Sequence, residues 1–321
     1  SSNFKEIKGY DNVIIYQTSS DIVRRNLYME KELNKIKIDA FFATFNLIPL
    51  LARKNFKIIL QNHDWSHGNF AENIMEKISG KVYKSLHIMS CKHSDINISN
   101  SLFTQEETNK YCGKNSKVIY HDADPFYKSA ASISIKPKIE KDLGSYILYV
   151  GRVYPKYKNI SSILKAYYKI KKESNLKLIS VHTDNYRKED YKFILDNGLD
   201  IIDLKFLPKE NVKYLYEHAK ITIYPSLYEG FGFPILEAQS SGSPVIATKL
   251  GPMPEVGGDA ALYFDGSAND LYSKVQELIT DESARSSLIK KGYLNTKRFS
   301  WYKTSYEIFK LISGDVDVHG S

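Results

Sequence analysis

The 321-residue chain holds only two cysteines, Cys91 and Cys112. They form no CxxC pair and have no metal-ligand spacing, which excludes a disulfide scaffold and a structural zinc site and favours a reducing compartment. Long apolar runs are missing too. The longest, "AFFATFNLIPLLA" (Ala40 to Ala52), is too short to span a bilayer and is interrupted by Asn46 and Pro49. The opening "SSNFKEIKGYDN" lacks the apolar core of a signal peptide. No zinc-finger, RNA-recognition or helix-turn-helix signature is present, so the net charge of +8 points to anionic small molecules or a membrane surface rather than nucleic acid. The expected location is cytoplasmic, with room for peripheral binding at the inner face of the cell membrane.

What is present is an alternation. Short apolar runs such as "NVIIY", "DAFFATF", "KIILQ", "INIS" and "KVIY" are separated by amphipathic stretches, and after residue 140 the pattern restarts with "YILYVG", "LKLISVH", "IIDLKFL", "ITIYPS" and "PVIAT". Near-continuous apolar strands alternating with helices predict parallel sheets covered on both faces. The expected architecture is α/β: two doubly wound parallel-sheet (Rossmann-like) domains facing a cleft. The first spans 1–130, a polar linker 131–145, and the second 146–298. Residues 313–321 read as a frayed tail. Ligands of such sheets sit beyond the carboxyl ends of the strands.

Three places at strand ends carry chemistry. In "YILYVGRVYPKYKN", Arg152 follows a strand and Lys158 precedes a helix. Two cations there suit a diphosphate, Arg as a fork and Lys as a point charge; they equally fit two solvated charges. In "YEGFGFPILEA", Glu229 lies past a strand end, Gly230 and Gly232 allow close backbone approach, Pro234 suits the first position of a helix, and Glu237 falls in its first turns. Spacing alone leaves two readings: a pair of carboxylates at two depths of one cleft, or a helix-end charge and a surface charge. His63, after "KIILQN", is either a structural hydrogen-bonder or a cleft residue. "HDAD" (His121 to Asp124) looks like a metal-binding DxD, but Pro125, Phe126 and the linker follow at once, and the structural reading is preferred. No metal site is expected.

Taken together, "EGFGFPILEA", "GRVYPKYKN", "FLPKENVKYLYEHAKITIYPS", "GSPVIATKLGPMPEVGGDAALYFD", "KIILQNHD" and "FSWYKTSYEIFKLI" resemble the retaining glycosyltransferases of family 4, which have the GT-B fold, and in particular bacterial transferases of O-antigen and other surface polysaccharides. The resemblance implies a metal-independent transfer of a hexose from a nucleotide-sugar, such as GDP-mannose or a UDP-hexose, to a glycan or lipid-linked glycan, with no cofactor. It implies that Arg152 and Lys158 hold the diphosphate and Glu237 the ribose hydroxyls. Glu229 would contact the transferred sugar, with the backbone around Gly230, Phe231, Gly232 and Phe233 touching sugar and phosphate. Phe206 and Leu207 would lie by the base, His63 across the cleft, and a last helix (299–312) would cross back to the first domain. A nucleotide-sugar epimerase or hydrolase of the same fold, or a non-catalytic nucleotide-sugar-binding partner, is the alternative. Before Asp39 the sequence offers one strand and one helix, while two of the family's strands and its glycine-rich loop have no counterpart there, so the first domain is expected to be incomplete.

The segment 73–92 has helical period, with Lys77, Lys81, Lys84 and Lys92 beside an apolar face of Ile74, Ile78, Val82, Leu86 and Met89. An ordinary helix burying that face is preferred over one docked on anionic lipid.

Overall fold

The computed structural model describes residues 33, 38–44, 46–50, 56–66, 69–129 and 143–313. The expected strand "NVIIY", most of the linker and the expected tail lie outside them.

Two all-parallel sheets form. The first has four strands in the order β1 (Ala40–Ala43), β2 (Lys57–Asn62), β3 (Ile96–Ser99) and β4 (Lys117–Val118). Between β2 and β3 runs α1 (Ile74–His93), started by the Asn73 side chain accepting from the Glu76 amide. Between β3 and β4 runs α2 (Leu102–Cys112), capped by Ser101 and ended at Gly113 in the left-handed region. A short helix, α3 (Pro125–Lys128), leads out of this half.

The second sheet holds β5 (Tyr146–Val150), β6 (Lys177–Val181), β7 (Ile201–Leu204), β8 (Ile221–Tyr224), β9 (Val245–Thr248) and β10 (Ala261–Phe264). Its order is β10-β9-β8-β5-β6-β7. That is the doubly wound order, whose direction reverses between β5 and β8. Covering helices are α4 (Ile160–Glu173), α5 (Lys188–Asp196), α6 (Lys209–His218), α7 (Phe233–Ser240), α8 (Met253–Gly257), α9 (Ala268–Thr280) and α10 (Glu282–Asn295). The two faces bury separate clusters. One gathers Leu148, Ile179, Leu236 and Ala247, the other Ile147, Leu178, Ile223 and Ile246. Alternate residues of the same strands feed them, which is why these strands read as unbroken apolar runs.

The final helix, α11 (Trp301–Ser313), lies on the first sheet. Leu311 joins Ile59, Ile98 and Ile119 in one buried cluster. Thr304 donates to the Tyr120 carbonyl at 2.6 Å, and Lys117 pairs with Glu307 at 2.7 Å.

Two expectations need correction. β10 was not anticipated as a strand: four residues straight after a glycine turn give too little periodicity to read. The apolar face of α1 is not buried. Ile74, Met75, Ile78, Val82 and Met89 are 52–72% exposed, while His87, Ser90 and Cys91 are the buried residues. The helix packs by its last turns, where His87 stacks on Trp65 at 3.6 Å and its Nε2 donates to the Asn62 side-chain oxygen at 2.8 Å. Lys84 lies over the Tyr111 ring at 3.5 Å.

Candidate active site

The switch point places two loops side by side. After β5, Gly151 turns the chain and Asn159 takes φ 52° just before α4. After β8 comes the glycine-rich loop, in which Gly232 has φ 116° and starts α7. The helix begins at Phe233, one residue earlier than expected, so Pro234 takes its second position, where a missing N–H costs no helical bond.

These loops bring Lys158 and Glu229 together. The ammonium meets the carboxylate at 2.5 Å, and both side chains are more than four-fifths buried. Burial pushes up the phenols of Tyr149, Tyr157 and Tyr224, and the nearby Glu229 charge adds to it. Arg152 stands apart from this pair. Its side chain is 60% exposed and its Nε donates to Asp184 at 3.2 Å. Asp184 also accepts from the Val153 and Tyr154 amides at 2.8 and 3.2 Å. One carboxylate therefore shapes the turn and holds Arg152 by Nε, away from its terminal nitrogens. Sequence reasoning missed Asp184; its one signal was an acidic residue past the end of β6.

Glu237 is set elsewhere, the fifth of the eight residues of α7. The Tyr216 hydroxyl donates to it at 3.1 Å, and burial pushes its carboxyl up to about 7. The sign follows directly. The folded state holds this proton more tightly than the unfolded chain, whose carboxyl titrates near 4.5. Stability is lost as pH rises from there through 7. Glu237→Gln removes that penalty, which is on the order of 3 kcal/mol for a shift of this size. Its melting temperature is expected to exceed wild type at pH 8 and to converge with it near pH 4.5, as followed by calorimetry across pH. A parallel offset at every pH would locate the effect in packing instead.

Phe231 is 2% exposed and turns into the core against Phe233 and Phe299, so only its backbone can face a ligand. Phe206 is 81% exposed at the end of β7, while Leu207 packs on the core. His63 lies in the first half just past β2, its carbonyl against the Gly230 backbone. Its amide donates to Asn46 at 2.8 Å, its Nε2 lies 2.5 Å from the Thr44 carbonyl, and its ring meets His121 edge-on. His121 is buried among His63, Phe231, Phe233 and Trp301, and desolvation lowers it to about 4, leaving it neutral at ordinary pH. Asp122 and Asp124 are used locally. Asp122 pairs with Lys128 at 2.6 Å, and Asp124 caps α3 through the Phe126 amide. Among the described residues no group of three or more His, Cys, Asp or Glu is placed to hold a metal ion.

The two halves meet at this loop. The Gly230 carbonyl accepts from Ser101 at 2.7 Å and from Thr104 at 3.2 Å. Tyr228 donates to Glu107 and accepts from the Trp65 amide. Glu255 takes the Leu102 and Phe103 amides at 2.7 and 3.3 Å, an anion on the N-terminus of α2. None of these contacts was foreseen, because each joins residues more than 120 positions apart.

The family described as Glycosyl transferases group 1 matches residues 133–295, and the chain belongs to it. O-antigen chain mannosyltransferase B of Escherichia coli is 34% identical over 179 residues, covering 54% of this chain and 46% of that protein. O-antigen chain mannosyltransferase RfbU of Salmonella typhimurium is 28% identical, covering 68% of this chain and 59% of that protein. The chain thus spans about half the length of these curated relatives. Among solved structures, sucrose-phosphate synthase from Thermosynechococcus elongatus superposes with a TM-score of 0.74 at 16% identity, covering 91% of this chain and 77% of that one. Anabaena HepE in complex with UDP gives 0.72 at 17%, covering 90% and 82%. The fold is GT-B.

Proposed function

We propose that this chain is a retaining, metal-independent hexosyltransferase of bacterial surface-polysaccharide synthesis, using a nucleotide-sugar donor such as GDP-mannose or a UDP-hexose and a glycan or lipid-linked glycan acceptor. The observation that carries this reading is the buried Lys158–Glu229 pair at the switch point of the second sheet, with Arg152 on the same turn after β5. Lys158 and Glu229 neutralise each other. A donor would divide them, with its diphosphate on Lys158, the terminal nitrogens of Arg152 and the backbone amides that open α7, and its sugar hydroxyls on Glu229. Charge that grows on the leaving diphosphate meets fixed cations and amides, which is where electrostatic stabilisation acts. Glu237 would take the ribose hydroxyls, Phe206 and Leu207 would lie by the base, and His63 would face the sugar from the first half.

The relatives' names favour a mannosyl donor. No described helix is long and apolar enough to cross a membrane. The exposed apolar face of α1, with Lys77, Lys81 and Lys92 beside it, suits peripheral contact with an anionic bilayer carrying a lipid-linked acceptor.

The test is an assay with α-linked nucleotide-sugars, with and without acceptor, in EDTA. The expected product is α-linked by the anomeric proton's NMR coupling and forms at an undiminished rate. A β product overturns the retaining assignment, loss of activity restored by Mn²⁺ overturns the metal-independent one, and sugar release indifferent to acceptor indicates a hydrolase or epimerase.

A further inference from the structure

Asp184, just past the end of β6, holds three donors of the turn after β5 at once. They are the Val153 amide at 2.8 Å, the Tyr154 amide at 3.2 Å and Arg152 Nε at 3.2 Å. The turn is pinned from beneath as well, where the buried Tyr149 hydroxyl donates to the Arg152 carbonyl at 2.6 Å. It also reaches the glycine-rich loop, because the Leu227 amide donates to the Tyr157 carbonyl at 2.7 Å.

Asp184 is itself held. His182, 2% exposed, lies between two oxygens: its Nδ1 is 2.7 Å from the Asp184 carbonyl and its Nε2 is 3.2 Å from the Asp203 carboxylate. The Tyr186 hydroxyl donates to the same Asp203 oxygen at 2.6 Å, and the Lys205 ammonium donates to the Asp184 carbonyl at 3.4 Å. The contacts therefore run from the edge strand β7 through the end of β6 to the turn after β5, three strands that adjoin in the sheet.

The Arg152 side chain is 60% exposed, so packing does not fix it. Ordering a long exposed side chain at a ligand costs conformational entropy. A bond at Nε orients the guanidinium plane beforehand and leaves both terminal nitrogens to a ligand, the fork that suits two phosphate oxygens. Against this stands the repulsion of an anion by Asp184. That carboxylate is already met by a guanidinium and two amides, so ordering is expected to outweigh repulsion.

We propose that Asp184 is a positioning residue for diphosphate binding, presenting the Arg152 fork to the phosphates of a nucleotide, and that His182 and Asp203 position Asp184 in turn. The proposal rests on the nucleotide-sugar reading above.

Calorimetric titration with GDP, GMP, UDP and UMP tests it. For at least one nucleoside, wild type is expected to bind the diphosphate about tenfold or more tighter than the monophosphate, the scale of charge-assisted bonds to the second phosphate. Asp184→Asn places an amide NH₂ where an oxygen accepted, and is expected to remove most of that preference while monophosphate affinity holds. Arg152→Ala is expected to do the same, and the double variant no more, because Asp184 acts through Arg152. Asp203→Asn, at the sheet edge, is expected to lower the preference by a smaller factor, and it keeps the test available should Asp184→Asn not fold. An unchanged or increased preference in Asp184→Asn or Asp203→Asn overturns the proposal. So do multiplying losses in the double variant, and equal weakening of both nucleotides with a lowered melting temperature, which would make Asp184 a support of the fold alone. Wild type that binds none of the four overturns the nucleotide-sugar reading and this proposal with it.

Discussion

Glu229→Gln is expected to lower kcat by on the order of 10²-fold or more, the size typical of losing one preorganised electrostatic group. The substitution keeps shape and hydrogen bonding and removes only charge. Glu229 is proposed to hold a sugar ring that becomes positively charged as its bond to the leaving group breaks, so the carboxylate acts chiefly in the transition state. Its contact with Lys158 at 2.5 Å adds a second consequence. Lys158→Ala removes a cation from the proposed leaving group and leaves a recessed carboxylate without its partner. The residues then act as a unit, and units are not additive. The double variant is expected to be about as slow as the slower single one, rather than slower by the product of the two factors. Initial rates over a range of donor concentrations, with circular dichroism to confirm folding, measure this. Full activity in Glu229→Gln would remove charge from the mechanism, and multiplying defects would return Lys158 and Glu229 to independent roles. Glu237→Ala provides the contrast: an interaction with a ribose that changes little during reaction should raise the donor KM more than it lowers kcat.

Gly230→Ala is expected to cost a further large factor, also 10²-fold or more in kcat/KM, for a steric reason. A methyl group on Gly230 would lie 1.6 Å from the His63 carbonyl oxygen and 2.7 Å from its carbon. Both are backbone atoms, so no side-chain rotation relieves the overlap. The loop must retreat from the first half, which breaks the Ser101 and Thr104 bonds to the Gly230 carbonyl and carries Glu229 with it. Geometry errors of this size cost reactions heavily, and because Phe231 of the same loop belongs to the core of the second half, circular dichroism must confirm that the variant folds before its rate is compared. Ser101→Ala, which loses one hydrogen bond without overlap, serves as the control and should lose less than tenfold. Wild-type turnover by Gly230→Ala would mean that the halves do not meet at this point during reaction.

Legibility in the sequence followed the range of the interaction. The run "INIS" matches β3 residue for residue, and the strands after residue 140 match β5, β6, β7, β8 and β9 within a few positions, because a strand buried on both faces writes itself as consecutive apolar residues. Gly232 could be singled out because a positive φ at a strand-to-helix turn favours one residue type. The short β10 left no such trace. The α1 face was misjudged because periodicity reports which residues share a side and not what covers it.

The sequence by itself therefore determined the α/β alternation, the two sheets and the loops that carry Arg152, Lys158, Glu229 and Glu237, since each depends on residues close in the chain. Only the tertiary structure decided that Lys158 pairs with Glu229 across 71 positions, that Asp184 shapes the Arg152 turn, and that Gly230 has no room for a side chain. Those outcomes depend on which loops the doubly wound order sets side by side, and on the approach of one half to the other, and neither distance is encoded in any local pattern.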